Sequence, residues 1–337
     1  MPTLSTNFPK TLVDRFGRTV DYVRISVTDR CDFRCVYCMD EKMEFLPRER
    51  ILTLEELERV ATAFTELGVR KIRLTGGEPL VRTDVLSLVQ NLGKLPGLDE
   101  LVITTNGSQL NQLAQPLRDA GVKRLNISLD SLETDKFKKL TRTGDLNKVL
   151  EGINSAIEAN FSNIKLNAVI LRNRNENEVL DLVEFASSKG LDISFIEEMP
   201  LGVIGDHDRA EAYYSSDQIK SDLETRYTLM PTPEKTAGPS KYFRVRETGT
   251  KVGFISPHSH NFCDDCNRVR LTAEGRLLLC LGQEHSVDLK HVLRSSPGDM
   301  NVLKSAIVSS MEIKPKGHDF DLSEKPLIFR HMSHTGG

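Results

Sequence analysis

Residues 21–40 read D-Y-V-R-I-S-V-T-D-R-C-D-F-R-C-V-Y-C-M-D. The first part, 22–27, is a short run of β-formers with one arginine, Arg24, inside it. The second part is a loop that carries Cys31, Cys35 and Cys38 in the spacing C-x-x-x-C-x-x-C. A cubane of four irons ordinarily takes four thiolates, so a loop offering three leaves one iron open to a small molecule. Zinc would call for a fourth protein ligand close by. The first histidine of the chain is His207 and the next cysteine is Cys263. The charged flanks Asp29, Arg30, Asp32, Arg34 and Asp40 also argue against three cysteines that serve as small core hydrophobes.

Outward from this stretch, short β-rich segments alternate with amphipathic helical ones from about residue 20 to residue 197. Strands are expected at 22–27, 71–74, 101–104, 124–129, 164–169 and 193–196. Helices are expected at stretches such as 53–67, 83–92, 147–159 and 176–189, the first capped by Thr53. Strand–helix alternation predicts parallel β/α units. Six of them predict an α/β fold built as an incomplete (β/α)6 barrel of TIM type; a doubly wound open sheet is the second choice. In either fold, reactive residues collect at the C-terminal ends of the strands. The distinctive loops fall there: the cysteine loop after strand one, Gly76-Gly77-Glu78-Pro79 after strand two, Thr104-Thr105-Asn106-Gly107 after strand three, and Glu197-Glu198-Met199-Pro200 after strand six. The alternation stops after Pro200. Pro231, Pro233, Gly238 and Pro239 mark a boundary, dividing a barrel region 1–230 from a smaller C-terminal region 231–337.

Composition narrows the function classes. The chain has 337 residues, 28% of them charged, and a net charge of −3. That balance gives no footprint for nucleic-acid binding. No apolar run is long enough to span a bilayer, and the first residues lack the layout of a secretory signal. Six cysteines in two groups of three suit metal chemistry in a reducing cytoplasm better than a disulfide framework.

The second group is Cys263-x-x-Cys266, with Cys280 further on. His258 and His260 lie just upstream, so on spacing alone a three-cysteine, one-histidine zinc site and a second open cluster are equally open. Between these cysteines runs Asn267-Arg268-Val269-Arg270-Leu271. Alternation puts Arg268 and Arg270 on one strand face, which suits a polyanion such as a triphosphate.

The run C-x-x-x-C-x-x-C, with Tyr37 before its third cysteine, resembles the radical S-adenosylmethionine superfamily. The resemblance implies that S-adenosylmethionine binds the open iron, accepts an electron and yields a 5′-deoxyadenosyl radical. Gly76-Gly77-Glu78-Pro79 matches the superfamily's G-G-E-P, in which Gly77 would meet the methionyl amino group. Segment 260–281, H-N-F-C-D-D-C-N-R-V-R-L-T-A-E-G-R-L-L-L-C-L, is similar to the signature of the GTP 3′,8-cyclases of molybdenum-cofactor biosynthesis. The likeness includes I-R-L-T-G-G-E-P-L at 72–80, T-T-N-G at 104–107, L-N-I-S-L-D at 125–130 and the closing Gly336-Gly337.

This second resemblance implies two [4Fe-4S] clusters, on Cys31, Cys35, Cys38 and on Cys263, Cys266, Cys280. Arg24, Arg73, Thr104, Lys165, Arg268 and Arg270 match positions that contact GTP. Tyr37, Gly77, Ser128 and Met199 match positions that contact S-adenosylmethionine. No side chain is assigned as an acid or base. Gly336 and Gly337 are expected to enter the active site without touching the first cluster. The tail departs from the family in having His334-Thr335 where a bulkier apolar residue usually precedes Gly-Gly. The implied partners are GTP, an external electron donor and cyclic pyranopterin monophosphate synthase as the next enzyme, with the chain a monomer or homodimer. The rival readings are a radical enzyme acting on another nucleotide or a peptide, and an iron–sulfur electron carrier or zinc protein.

Overall fold

A computed structural model of the chain describes residues 8–336, apart from 206, 235, 237 and 322–327. Six parallel strands form its centre: β1 (Tyr22–Ser26), β2 (Lys71–Thr75), β3 (Glu100–Thr105), β4 (Arg124–Ser128), β5 (Asn163–Val169) and β6 (Asp192–Ile196). They pair in sequence order, each with the next. All six expected strands are therefore present. Parallel strands need crossovers, and α1 (Leu54–Glu66), α2 (Val85–Leu92), α3 (Leu110–Asp119), α4 (Thr134–Thr141), α5 (Leu146–Glu158) and α6 (Val179–Ser188) supply them.

The α1 start shows how local sequence sets an element. Thr53 Oγ1 accepts from Glu56 N at 3.2 Å, and the Glu56 carboxylate accepts from Thr53 N at 2.8 Å. This reciprocal box satisfies two otherwise orphaned donors. Leu57, Val60, Ala61 and Phe64 then form one buried face. That face packs on outward side chains such as Val23, Ile25, Ile72 and Leu74, which belong to the same continuous core.

The strands that follow Pro200 do not build a separate sheet. β7 (Leu229–Pro231), β8 (Lys241–Val245) and β9 (Lys251–Ile255) extend the β6 edge, with β9 parallel to β6. β10 (Arg268–Leu271), β11 (Arg276–Leu278) and β12 (Ser286–Asp288) extend the β1 edge, with β10 parallel to β1. Among the described residues the result is an unclosed sheet of twelve strands whose ends are β12 and β7. The helices α7 (Arg209–Ala212), α8 (Ser216–Glu224), α9 (Leu289–Ser295), α10 (Met300–Ser310) and α11 (Met332–Thr335) complete the described chain.

Candidate active site between two cysteine triads

Side chains on a strand alternate between faces, and the inward set here encloses one large cavity. β1 contributes Tyr22 and Arg24, β2 Lys71 and Arg73, β3 Thr104, β4 Asn126 and Ser128, β5 Lys165 and Asn167, and β10 Arg268 and Arg270. Both cysteine triads open onto the same cavity, as do Tyr37, Gly77 and Met199. Every residue assigned from the sequence to a cluster, to S-adenosylmethionine or to GTP thus lines one space.

The space is strongly cationic. Burial and the nearby Arg270, Arg73 and Arg268 push Arg24 well below the usual guanidinium range. Burial and Arg268 bring Arg270 down to about 10. Burial lowers Lys71 and Lys165 as well. Tyr22 lies amid these groups: its hydroxyl accepts from Arg73 Nε at 2.5 Å. Its burial favours the neutral phenol, but Arg73, Arg24, Lys71 and Arg268 outweigh that and hold it near 7. Arg73 Nη1 also donates to Thr104 Oγ1 at 2.8 Å, and Lys165 Nζ to Tyr242 Oη at 3.1 Å. Crowded buried cations destabilise one another unless anions offset them. Arg24 Nε, Asn126 Oδ1 and Asn167 Oδ1 are buried without a partner among the described residues. Buried polar groups are ordinarily satisfied, so among the described residues Arg24 Nε, a donor, marks a place for an anionic group, and the two amide oxygens, acceptors, mark places for ligand N–H or O–H groups.

The first triad is held by its own loop. Phe33 N approaches Cys31 Sγ at 3.3 Å, and Asp32 takes hydrogen bonds from Asn106 Nδ2 and Ser108 Oγ, each at 2.6 Å. The Tyr37 hydroxyl donates to Asp130 Oδ2 at 2.7 Å. Burial raises all three thiols, Cys38 to about 12, and carboxylates nearby add to the effect for Cys31 and Cys35. Thiols in this setting become thiolates only when an electropositive group arrives. The glycine pair behind them is obligatory: a Cβ on Gly77 would fall 2.5 Å from the Arg30 carbonyl oxygen, and one on Gly76 2.7 Å from that of Thr28. The Glu78 carboxylate fixes this turn by accepting from Leu80 N, Thr105 Oγ1 and Asn106 N.

The second triad differs in its electrostatics. Burial would raise Cys266, but Arg268 and Lys314 outweigh it and the thiol lies below its ordinary value. Lys314, fully buried, points Nζ at Cys266 Sγ (3.7 Å) and at the Leu279 carbonyl (2.9 Å). Arg18 clamps the neighbouring backbone through the carbonyls of Cys263, Pro315 and Lys316. The histidines that kept zinc open are engaged elsewhere. His258 Nε2 meets the Glu198 carbonyl, and His260 Nε2 meets Asp217, both at 2.8 Å. Among the described residues, no three His, Cys, Asp or Glu side chains converge tightly enough for a single ion. Three thiols spread around a cavity suit a polynuclear group better.

The C-terminal tail reaches the site from its own side. Met332 lines the cavity, and Arg270 Nη1 donates to the Gly336 carbonyl at 2.6 Å. Thr335 and Ser333 are buried, and the Ser333 backbone lies close enough to Cys38 to offset part of the effect of burial on its thiol. α11 thus lies near the first cysteine loop through Ser333, while Gly336 itself is held by Arg270. The unusual His334 is accommodated, with its ring partly buried and Nε2 unpartnered among the described residues. Gly337 lies outside the described residues.

Tyr22, Lys71, Asn126, Asn167 and Lys314 are site residues that sequence reasoning missed. The first four were within reach of the two-residue period, each lying two positions from an assigned inward residue. Lys314 carries no such signal, because its place beside Cys266 is purely tertiary.

Comparison with known proteins agrees with this geometry. Residues 25–186 match the Radical SAM superfamily, and residues 191–320 match Molybdenum Cofactor Synthesis C. The chain is 60% identical over 327 residues to a GTP 3′,8-cyclase of Pseudomonas savastanoi pv. phaseolicola, covering 97% of this chain and 98% of that one. It is 58% identical over 329 residues to a GTP 3′,8-cyclase of Pseudomonas fluorescens, covering 97% and 99%. In fold it is similar to Streptococcus suis SuiB bound to S-adenosylmethionine. The TM-score is 0.62 at 13% identity, over 95% of this chain and 79% of that one. With near-complete coverage at this identity, and with both cysteine triads and the arginine strand in place, the chain belongs to the GTP 3′,8-cyclase family of the radical S-adenosylmethionine superfamily.

Proposed function

We propose that the protein cyclises GTP to (8S)-3′,8-cyclo-7,8-dihydroguanosine 5′-triphosphate, the first step of molybdenum cofactor biosynthesis. It is a lyase that uses two [4Fe-4S] clusters and S-adenosylmethionine. When bound, these groups supply a 5′-deoxyadenosyl radical that removes hydrogen from C3′ of the ribose, after which C3′ attacks C8 of guanine. The observation that carries the reading is the pair of three-cysteine groups facing one cavity, with a cationic strand wall between them.

Cys31, Cys35 and Cys38 would hold the first cluster, and Cys263, Cys266 and Cys280 the second. Tyr37, Gly77, Ser128 and Met199 would bind S-adenosylmethionine: the Gly77 turn lets its backbone approach the ligand closely, while Ser128 and Met199 border the cavity. Arg24, Arg73, Thr104, Lys165, Arg268 and Arg270 would bind GTP. Guanidinium groups match phosphate in charge and in fork geometry, and the unpartnered Arg24 Nε is a free donor for it. The chain's contribution is to position C3′ near the first triad and to exclude water. Region 1–230 presents the first cluster and 231–337 the second. Gly336 and Gly337 close the site. The protein works in the cytoplasm, as a monomer or homodimer, takes its electron from an external donor and hands its product to cyclic pyranopterin monophosphate synthase.

Anaerobic reconstitution tests this. The protein should bind about eight irons per chain and convert GTP, but not ATP or CTP, to the 3′,8-cyclised product. Stoichiometric zinc without iron, or S-adenosylmethionine cleavage with no change in GTP, would reject it.

A further inference from the structure

Lys165 is buried on the inward face of β5, and its Nζ donates to the hydroxyl of Tyr242, on β8, at 3.1 Å. Two strands, β6 and β9, lie between β5 and β8. The phenol reaches across them because the residues in its lane are small. Tyr242 is opposite Gly253, and Gly253 is opposite Ser194. A Cβ on Gly253 would fall 2.8 Å from the Tyr242 ring and 2.1 Å from Ser240 Oγ. The Tyr242 hydroxyl also shares a 3.1 Å bond with Thr236 Oγ1. With the Lys165 ammonium donating to the phenol oxygen, the phenol proton is left for Thr236. Lys165, Thr236 and Ser240 border the cavity, and Tyr242 stands one layer out.

The kind of partner matters. Lys71, on the inward face of β2, is paired with the Glu100 carboxylate at 2.5 Å. Lys251, which also lies against the Tyr242 ring, is held by Asp192 at 3.2 Å and Glu234 at 3.0 Å. Carboxylates offset both of those charges. Among the described residues no carboxylate pairs with Lys165, whose bond is to a phenol. Burial would raise that phenol, but Lys165 and the hydrogen bonds around it outweigh this and bring it to about 8. Near pH 7 most of it therefore keeps its proton. A neutral acceptor fixes the place of the ammonium yet leaves its charge uncompensated, while Arg73 and Arg124 oppose that charge. A buried charge in this state is costly until an anion meets it.

We propose that Tyr242 is a positioning residue for GTP: it holds the Lys165 ammonium in place, still charged, for the triphosphate. The inference rests on the reading of Lys165 as a GTP contact. Tyr242 acts only through Lys165, and no bond is made or broken at it.

A double-mutant cycle on GTP binding tests this, read by calorimetry on the anaerobically reconstituted protein. Tyr242→Phe keeps the ring in its lane and removes the acceptor. It should weaken GTP binding about fivefold, with iron content unchanged. In turnover, KM for GTP should rise by the same factor while kcat falls by less than about twofold. Lys165→Met should weaken GTP binding by more than Tyr242→Phe does. Added to Lys165→Met, Tyr242→Phe should cost less than about twofold further, because the group it positions is already gone. Wild-type GTP affinity in Tyr242→Phe would overturn the proposal. So would the same loss from Tyr242→Phe in both backgrounds, which would make the phenol a structural support for Thr236 and Ser240. Wild-type GTP affinity in Lys165→Met would instead reject Lys165 as a GTP contact, and the proposal with it.

Discussion

The Arg270 guanidinium donates to the backbone carbonyl of Gly336 at 2.6 Å, so a residue of the cationic strand face holds the chain's own tail. Gly336 has φ +76°, and a Cβ there would fall 1.9 Å from Thr75 Oγ1. Both the left-handed backbone and the lack of space demand glycine. Removing Gly336 and Gly337 by truncation after Thr335 leaves the Ser333 contact with Cys38 in place. Cyclisation should then fall at least a hundredfold while S-adenosylmethionine cleavage continues, as read by product ratio in a chromatographic assay. Gly336→Ala, which forces α11 to shift, should lower both.

Arg268 and Arg270 share the inward face of β10, with Val269 and Leu271 buried behind. A charge-assisted contact to phosphate contributes roughly 1.5–3 kcal/mol. Arg268→Ala should therefore weaken GTP binding about tenfold or more in calorimetry, with the iron content unchanged. Arg270→Ala should cost at least as much, because it also releases Gly336.

Tyr22 gives the site a pH signature. Its folded-state pKa of about 7 lies below the ordinary value of 10. The phenolate therefore adds stability that is complete above 10 and is lost as the pH falls through 7. Relative to Tyr22→Phe, the wild type should become more stable as the pH rises from 7 to 10. At pH 8, a bound triphosphate competes with the phenolate for the same cations, so GTP binding should take up protons. Calorimetry in buffers of different ionisation enthalpy should detect this uptake, and Tyr22→Phe should reduce it.

Lys314 places a buried positive charge beside Cys266. Lys314→Gln keeps a donor for the Leu279 carbonyl and removes the charge. The midpoint potential of the second cluster should become more negative by on the order of 60 mV, equivalent to a tenfold one-electron change. A redox titration followed by electron paramagnetic resonance reads this directly, and the first cluster should not move.

Much of this architecture is legible in the residues. The six central strands stand out as short apolar runs between amphipathic helices, and the loops that follow them carry the unusual motifs. The face shared by Arg268 and Arg270 follows from alternation alone. What cannot be read locally is which distant strand lies beside which. β10 sits parallel to β1, bringing Arg268 and Arg270 across from Tyr22 and Arg24, although more than two hundred positions separate them. The same non-local pairing hides the continuity of the sheet past Pro200. It also hides the contact of α11 with Cys38, which depends on where the tail returns.

The central claim is that one cavity brings a radical formed at the first triad to C3′ of a GTP held near the second. The most direct test supplies the anaerobically reconstituted protein with GTP deuterated at C3′, S-adenosylmethionine and reductant, and weighs both products by mass spectrometry. Deuterium should appear in 5′-deoxyadenosine as the cyclised nucleotide forms. Cyclised nucleotide accompanied by unlabelled 5′-deoxyadenosine, or 5′-deoxyadenosine with no cyclised nucleotide, would contradict the account.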